Sequence, residues 1–200
     1  IKEAIQRSQF GSRILVIGAE HYTAKMAMDT NRALFSDGAA SIAFRSGVDL
    51  ELVFASESYE LNDAIKMPID KTKIPDGSVS IHVPNETEFF QMDGRPVLRW
   101  VIQGEPLRQT LGAYEELKNE ANEIYMLNHQ GSGRVTSALA SRLQEKGVRG
   151  NLGAASVIAE INALFQRRKI QPKDTIIASG FGAGLKTSVI GLMAGKDVNL

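Results

Sequence analysis

An α/β fold of stacked layers is predicted by short apolar runs that alternate with amphipathic segments of helical length. Residues 13–18 read Arg-Ile-Leu-Val-Ile-Gly, a β-branched run ending in glycine that is typical of a strand buried on both faces. Residues 124–127 and 175–178 are two further apolar strands. Residues 132–146 and 154–168 place apolar side chains at helical spacing along one face. Strands that alternate with helices in this way indicate sheets covered by helices.

The other elements follow from the same kinds of pattern. Residues 1–8 are typical of the end of an amphipathic helix, and residues 97–117 predict a helix that Pro106 interrupts. Residues 56–77 are polar and contain two prolines, which predicts a loop. Further strands are predicted at residues 39–44, 50–55, 78–83 and 187–192.

Composition excludes several classes of function. The 23 basic residues balance the 23 acidic ones, so no global charge favours nucleic acid or an anionic membrane surface. No apolar run approaches the roughly 20 residues that a membrane-spanning helix needs. The chain has no cysteine and three histidines, which excludes disulfides and argues against a dedicated zinc site. We therefore expect a cytoplasmic protein that binds no metal.

His129 and Asn151 are the candidate catalytic residues. His129 directly follows a predicted strand, where α/β folds place ligand-binding groups, and a histidine there can donate a hydrogen bond or exchange a proton. Asn151 follows Gly150 before the next helix and can only donate or accept hydrogen bonds, which suits stabilisation of an oxyanion. On spacing alone, an alternative interpretation is that His129 caps a helix and Asn151 is a turn residue.

The glycine-rich segment at residues 180–184 follows another strand, so its backbone N–H groups could hold an anion. Residues 180–187 also differ at one position from the phosphate-binding loop pattern G-x-x-x-x-G-K-[ST]. Leu185 stands where that pattern requires glycine. Leu185 also occupies the third glycine position of the dinucleotide-binding pattern G-x-G-x-x-G. We therefore expect neither nucleotide hydrolysis nor a dinucleotide site.

Six segments resemble, in order along the chain, the motifs of one family, with Ser36 replacing the first glycine of the second motif. The first is residues 14–20, which read Ile-Leu-Val-Ile-Gly-Ala-Glu in this chain. The other five are given with the family motif that each resembles: residues 34–40 (F-G-D-G-A), 128–134 (P-H-Q-x-x-x-R), 150–156 (G-N-T-S-A-A-S), 170–174 (I-K-P-G-D) and 180–184 (G-F-G-A-G). In these motifs the chain resembles the C-terminal two-thirds of β-ketoacyl-acyl-carrier-protein synthase III, in the thiolase superfamily. The resemblance implies a thiolase-like layered αβαβα fold that is incomplete at the N-terminus. Residues 1–45 would end the N-terminal half, and residues 46–200 would form the C-terminal half.

The resemblance also implies a Cys-His-Asn site that condenses an acyl thioester with a malonyl thioester, with the cysteine upstream of Ile1. His129 and Asn151 would bind the malonyl thioester oxygen, and Phe181 would shield the carboxylate that is lost. The Ala183 N–H would join a second oxyanion hole. Gly131 and Ser132 would line the pantetheine tunnel, and Arg134 would face the acyl carrier protein or coenzyme A.

Acyl-CoA and malonyl thioesters would act as substrates with no further cofactor, and the whole protein would be a homodimer. Two other interpretations remain open at this point. One is a non-catalytic thiolase-fold subunit that supports an active partner, although such a subunit would have no chemical need for His129 or Asn151. The other is a related acyltransferase of secondary metabolism.

Overall fold

The computed structural model describes residues 1–21, 35–62, 64–66, 91–135, 137, 154–167 and 170–198. Within these ranges four α-helices and eight β-strands have defined bounds. They are α1 (Lys2–Arg7), β1 (Arg13–Glu20), β2 (Gly38–Arg45), β3 (Leu50–Asn62), β4 (Ile65–Lys66), β5 (Gln91–Met92), α2 (Gly94–Gln103), α3 (Glu105–Leu117), β6 (Ile124–Asn128), α4 (Ala155–Arg167), β7 (Thr175–Gly182) and β8 (Gly184–Ala194).

The largest sheet has four strands in the order β3-β8-β7-β6. β6 and β7 are parallel, whereas β7 pairs with β8, and β8 with β3, in antiparallel register. β7 is buried throughout its first five residues, with Ile176 and Ile177 at most 1% exposed, because helices cover both of its faces.

The helix α4 lies between this sheet and a second, two-stranded antiparallel sheet formed by β1 and β2. Ile158 and Ile161 of α4 belong to one buried cluster that reaches both sheets. The cluster also contains Ile14, Ile42, Phe44, Ile176 and Leu192, and Ile5 of α1 packs against it. The helical pattern of residues 154–168 is therefore confirmed as an inward-facing layer.

The opposite face of the four-stranded sheet is covered by α3, whose Ala113 and Leu117 pack against Ile177 and Val189. The order of layers is thus the β1–β2 sheet, the α1 and α4 helices, the four-stranded sheet, and the α2 and α3 helices. This arrangement confirms the layered α/β fold. The predicted boundary near residue 45 falls between the two sheets, and the division into two halves stays a prediction.

Three details of the sequence interpretation need correction. β1 is buried on one face only among the described residues, because α4 covers that face while Leu15 and Ile17 are 63% and 66% exposed on the other. β3 does not end near residue 55: its polar continuation pairs with β8, for example Tyr59 with Lys186, and forms a solvent-exposed ribbon.

The third correction concerns the helix predicted at residues 97–117. α2 begins earlier, at Gly94, where the Asp93 side chain accepts a hydrogen bond from the Arg95 N–H and caps the helix. The break lies at Gly104, and Pro106 occupies the first turn of α3, where its missing N–H costs no helical hydrogen bond. The result is two helices that meet at a corner.

The strand predicted at residues 78–83 lies outside the described residues. So does most of the helix predicted at residues 132–146, of which residues 133–135 and 137 are described and are helical. Among the described residues, no helix is long and apolar enough to span a membrane.

Gly18 tests the packing of α4 against β1. A Cβ at this position would lie 2.8 Å from the Ala154 carbonyl oxygen and 3.0 Å from Ile158 Cδ1, so Gly18→Ala must displace the start of α4. We expect a loss of about 1–3 kcal/mol in the free energy of unfolding, measured by urea denaturation. Gly112→Ala is the matched control, because it lies in α3 with open space around it, and we expect it to gain about 0.5–1 kcal/mol. Equal effects at both positions would contradict the close contact between α4 and β1.

Candidate functional site

The candidate site is built on the carboxyl ends of the two parallel strands. β6 and β7 are in register from Ile124 opposite Thr175 to Asn128 opposite Ser179. His129 directly follows β6, and its backbone N–H donates a 2.8 Å hydrogen bond to the Ser179 carbonyl oxygen. The predicted position of His129 directly after a strand is therefore confirmed, at the end of the sheet where α/β folds commonly bind ligands. The strand itself is less buried than predicted, because β6 is the edge strand of the sheet and residues 124–126 are half-buried.

A buried polar pair joins β6 and β7 at the residues just before His129. The Ser179 hydroxyl donates a short hydrogen bond to Asn128 Oδ1, and each residue is 1% exposed. The Gln130 side-chain amide donates to the Asn128 carbonyl oxygen at 3.0 Å. These contacts satisfy polar groups that would be costly to bury alone, and they fix the backbone on both sides of the histidine.

The imidazole ring of His129 packs against the ring of Phe181. The two ring centroids are 4.9 Å apart, with the planes at 79°, which is an edge-to-face contact. Burial lowers the pKa of His129 to about 4, because a charged imidazolium would lose most of its hydration there. The side chain is therefore neutral at pH 7, with one ring nitrogen able to donate a hydrogen bond and the other able to accept one.

Phe181 lies near the end of β7, and its ring also contacts Trp100 of α2 in an edge-to-face arrangement, with centroids 6.2 Å apart at 85°. On another side it faces Gly131, where a Cβ would lie 3.3 Å from Phe181 Cε2 and 3.7 Å from His129 Cδ2. The structure therefore brings together three residues singled out in the sequence: His129, Gly131 and Phe181.

Ser132 and Arg134 lie just beyond this group. The Ser132 hydroxyl accepts a 3.2 Å hydrogen bond from the Val135 N–H and so caps the helical turn that follows. Arg134 is exposed. The assignment of both residues to substrate binding stays a prediction.

The glycine-rich segment forms a tight hairpin between β7 and β8, with Ala183 exposed at its turn. Lys186 and Thr187 are on strand β8, whereas a phosphate-binding loop would place them at the start of a helix. The expectation that this segment is not a nucleotide site is therefore consistent with its geometry. A role for the Ala183 N–H in an oxyanion hole stays a prediction.

Asn151 lies outside the described residues, so its assignment to the same site as His129 stays a prediction. The first described residue after it is Ala154, whose N–H donates a 3.2 Å hydrogen bond to Glu20 Oε1 at the end of β1. The helix that follows Asn151 is therefore tied to the β1–β2 sheet. Among the described residues, no group of three or more His, Asp or Glu side chains is placed to hold a metal ion.

Comparison with known proteins shows which group of proteins this chain resembles. Residues 115–192 match the family model described as 3-Oxoacyl-[acyl-carrier-protein (ACP)] synthase III C terminal. The chain is 29% identical over 189 residues to Beta-ketoacyl-[acyl-carrier-protein] synthase III 5 of Streptomyces coelicolor, covering 86% of this chain and 55% of that protein. It is 28% identical over 185 residues to Beta-ketoacyl-[acyl-carrier-protein] synthase III of Acaryochloris marina, with the same shares covered.

Solved structures give the same answer for the fold. The structure of β-ketoacyl-[acyl carrier protein] synthase III from Thermus thermophilus matches with a TM-score of 0.72 at 20% identity, over 92% of this chain and 59% of that one. The 3-oxoacyl-(acyl carrier protein) synthase III from Pseudomonas aeruginosa matches with a TM-score of 0.71 at 20% identity and the same coverage. The chain resembles the β-ketoacyl-acyl-carrier-protein synthase III family in both sequence and fold.

The chain spans about half the length of the synthase III relatives that it matches. The segment that matches the synthase III family model contains β6, His129, α4 and the β7–β8 hairpin, and so includes Phe181 and Ala183. The sequence interpretation missed Asn128, Ser179 and Trp100 as parts of the site. A serine and an asparagine at the ends of two apolar strands are the signal that could have found the first two, and Trp100 carries none beyond its place in a helical pattern.

The neutral state of His129 gives a pH-dependent prediction. Its pKa is about 4 in the folded protein and about 6.5 when unfolded, so the unfolded chain binds more protons between these pH values. The contribution of neutral His129 to the free energy of unfolding is fully present above pH 6.5. It decreases as the pH is lowered towards 4, by about 3 kcal/mol at most. We expect an NMR titration to give His129 a pKa near 4, with the resonance assigned by its absence in His129→Gln. A pKa near 6.5 would show that the imidazole is hydrated and contradict the packing against Phe181.

Proposed function

We propose that the complete protein is a β-ketoacyl synthase III-like acyltransferase, which condenses an acyl thioester with a malonyl thioester and releases carbon dioxide. The observation that carries the proposal is the neutral His129 imidazole, held against Phe181 at the carboxyl end of β6. The relatives named β-ketoacyl-[acyl-carrier-protein] synthase III support it.

The first step requires a nucleophile that this chain does not contain, since it has no cysteine. We propose that a cysteine outside these 200 residues supplies the thiolate. The thiolate attacks the acyl thioester carbonyl, and the original thiol leaves as the acyl-enzyme forms. The Ala183 N–H, exposed at the β7–β8 turn, would donate to the carbonyl oxygen as negative charge develops there.

The second step is the decarboxylation of the malonyl thioester, and here His129 and Asn151 act. One ring N–H of His129 and the Asn151 side-chain amide would donate to the thioester oxygen. As the carbon–carbon bond to the carboxylate breaks, its electron pair forms the enolate C=C bond, and the π electrons of the thioester C=O move onto oxygen. Carbon dioxide leaves. The enolate carbon then attacks the acyl-enzyme carbonyl and the cysteine thiolate departs. Fixed donors stabilise the enolate without the reorganisation that water would require.

A neutral imidazole suits this step better than a charged one. An imidazolium could transfer its proton to the enolate and quench the carbanion before it reached the acyl group. Burial keeps the pKa of His129 at about 4, well below neutral pH, so the ring donates a hydrogen bond and retains its proton.

Phe181 would act on the departing carboxylate. Its aromatic ring offers no hydrogen bond, so a carboxylate placed against it loses hydration, whereas uncharged carbon dioxide does not. The same ring that helps to bury His129 thus also favours loss of the charged group. Gly131 leaves room beside both rings, because a side chain there would contact Phe181.

The substrates would be coenzyme A thioesters and thioesters of an acyl carrier protein. Gly131 and Ser132 would line the path of the pantetheine arm. Arg134 is exposed just beyond the site and would contact phosphate groups or an acidic carrier protein. We further propose that the complete protein is a cytoplasmic homodimer and needs no cofactor.

The proposal is tested by decarboxylation of malonyl-CoA, measured in the complete protein as release of carbon dioxide. We expect His129→Gln to lower kcat by about 10²–10³-fold, because it removes a donor to the enolate oxygen. His21→Gln is the matched control, since His21 is exposed, pairs with Asp37 and lies at the edge of the β1–β2 sheet. It should leave kcat unchanged. Carbon dioxide release that is unaffected by His129→Gln would overturn the assigned role, and none from the wild type would favour a non-catalytic partner subunit.

A further inference from the structure

Trp100 is the outer member of a series of three aromatic rings that ends at the catalytic histidine. The Trp100 ring meets Phe181 at 6.2 Å and 85°, and Phe181 meets His129 at 4.9 Å and 79°. Both distances lie within the range of about 4.5–7 Å in which edge-to-face pairs are favourable. The three rings come from α2, β7 and the segment after β6.

The corner between α2 and α3 holds Trp100 in place. The Gly104 N–H donates a 2.8 Å hydrogen bond to the Trp100 carbonyl oxygen, and a Cβ at residue 104 would lie 2.4 Å from that oxygen and 3.1 Å from Trp100 Cδ1. Glycine at this corner therefore allows the chain to close beside the indole.

Packing, more than hydrogen bonding, fixes the indole. Trp100 packs against a buried cluster that contains Val97, Val101 and Leu185, and against which Phe181 also packs. Its Nε1 atom is buried without a hydrogen-bond partner among the described residues. A buried N–H of this kind costs free energy, so the position of the ring is maintained by the contacts of its edge and faces.

We propose that Trp100 is a positioning residue, which holds the Phe181 ring against His129 and thereby sets the rate of malonyl decarboxylation. This inference rests on the function proposed above. Trp100 itself would touch no substrate. Its effect passes through Phe181, whose ring is bounded by the indole, the imidazole and the Cα of Gly131.

Removal of the indole would leave a cavity behind Phe181. Surrounding side chains collapse only partly into such a space, so the Phe181 ring would gain freedom to move away from the imidazole. Water could then reach His129, and the departing carboxylate would regain hydration. Binding of the malonyl thioester through its coenzyme A portion would be unaffected, since Trp100 would act only through its contact with Phe181.

The test compares Trp100→Leu, Trp100→Phe and Val101→Ala in the complete protein. Val101 is fully buried in the same cluster and on the same helix, and it makes neither ring contact, so Val101→Ala controls for general loosening. Two quantities are measured for each: the steady-state constants for carbon dioxide release from malonyl-CoA, and the pKa of His129 by NMR. Burial is the cause of the low pKa of His129, and no charged side chain contributes to it among the described residues.

We expect Trp100→Leu to lower kcat on the order of 10- to 100-fold with KM unchanged, because a small misplacement at a reacting centre has effects of this size. The pKa of His129 should rise from about 4 towards its ordinary value of 6.5. Trp100→Phe should retain most of both quantities, since a smaller ring can still present an edge to Phe181. Val101→Ala should change both quantities much less than Trp100→Leu does, because the indole and its ring contact with Phe181 remain.

The proposal is overturned if Trp100→Leu matches Val101→Ala in both quantities, or if it raises KM and leaves kcat intact. The two measurements also separate this inference from the proposed function. If the wild-type protein releases no carbon dioxide, the proposed function fails. In that case the positioning role is overturned if the pKa of His129 is unchanged in Trp100→Leu. It is supported if the pKa of His129 rises in Trp100→Leu and does not rise equally in Val101→Ala.

Discussion

The parallel pairing of β6 with β7 is the constraint on which the rest of the site depends. Asn128 and Ser179 face each other at the end of this pair, and their buried side chains are hydrogen-bonded to each other. The His129 N–H is held by the Ser179 carbonyl oxygen at 2.8 Å, and Phe181 follows two residues later on the same strand. One strand pairing therefore sets the backbone of His129 and the ring that packs against it, and a shift in register would separate them.

The layers around this pair make the pairing rigid. α4 packs between the two sheets and α3 covers the opposite face, so β7 is buried on both sides. Interiors of this kind are close-packed, and small displacements are resisted. At the end of this sheet, the half-buried imidazole of His129 packs against Phe181, and burial holds its pKa near 4. The strand pairing that stabilises the sheet thus also places the ring that helps to keep the histidine neutral.

Much of this architecture could be predicted from the sequence, because apolar periodicity reports which face of an element is buried. The strand before His129 and the inward face of α4 are examples. The exposed face of β1 could not be predicted, since Leu15 and Ile17 are as apolar as buried residues and their exposure depends on which layers are present. The bond between Asn128 and Ser179, and the contact between Trp100 and Phe181, join residues far apart in the chain. Local sequence patterns cannot predict contacts between residues that are distant in the chain. Only the family resemblance assigns a role to Phe181 from the sequence.

A crystal structure of the complete protein with a malonyl thioester analogue that cannot lose carbon dioxide would test the proposed decarboxylation site most directly. We expect the thioester oxygen to accept hydrogen bonds of about 2.7–3.2 Å from a ring nitrogen of His129 and from the Asn151 amide. The carboxylate should lie against the Phe181 ring. A thioester oxygen bound away from His129, or an Asn151 side chain directed elsewhere, would contradict the roles assigned to these residues.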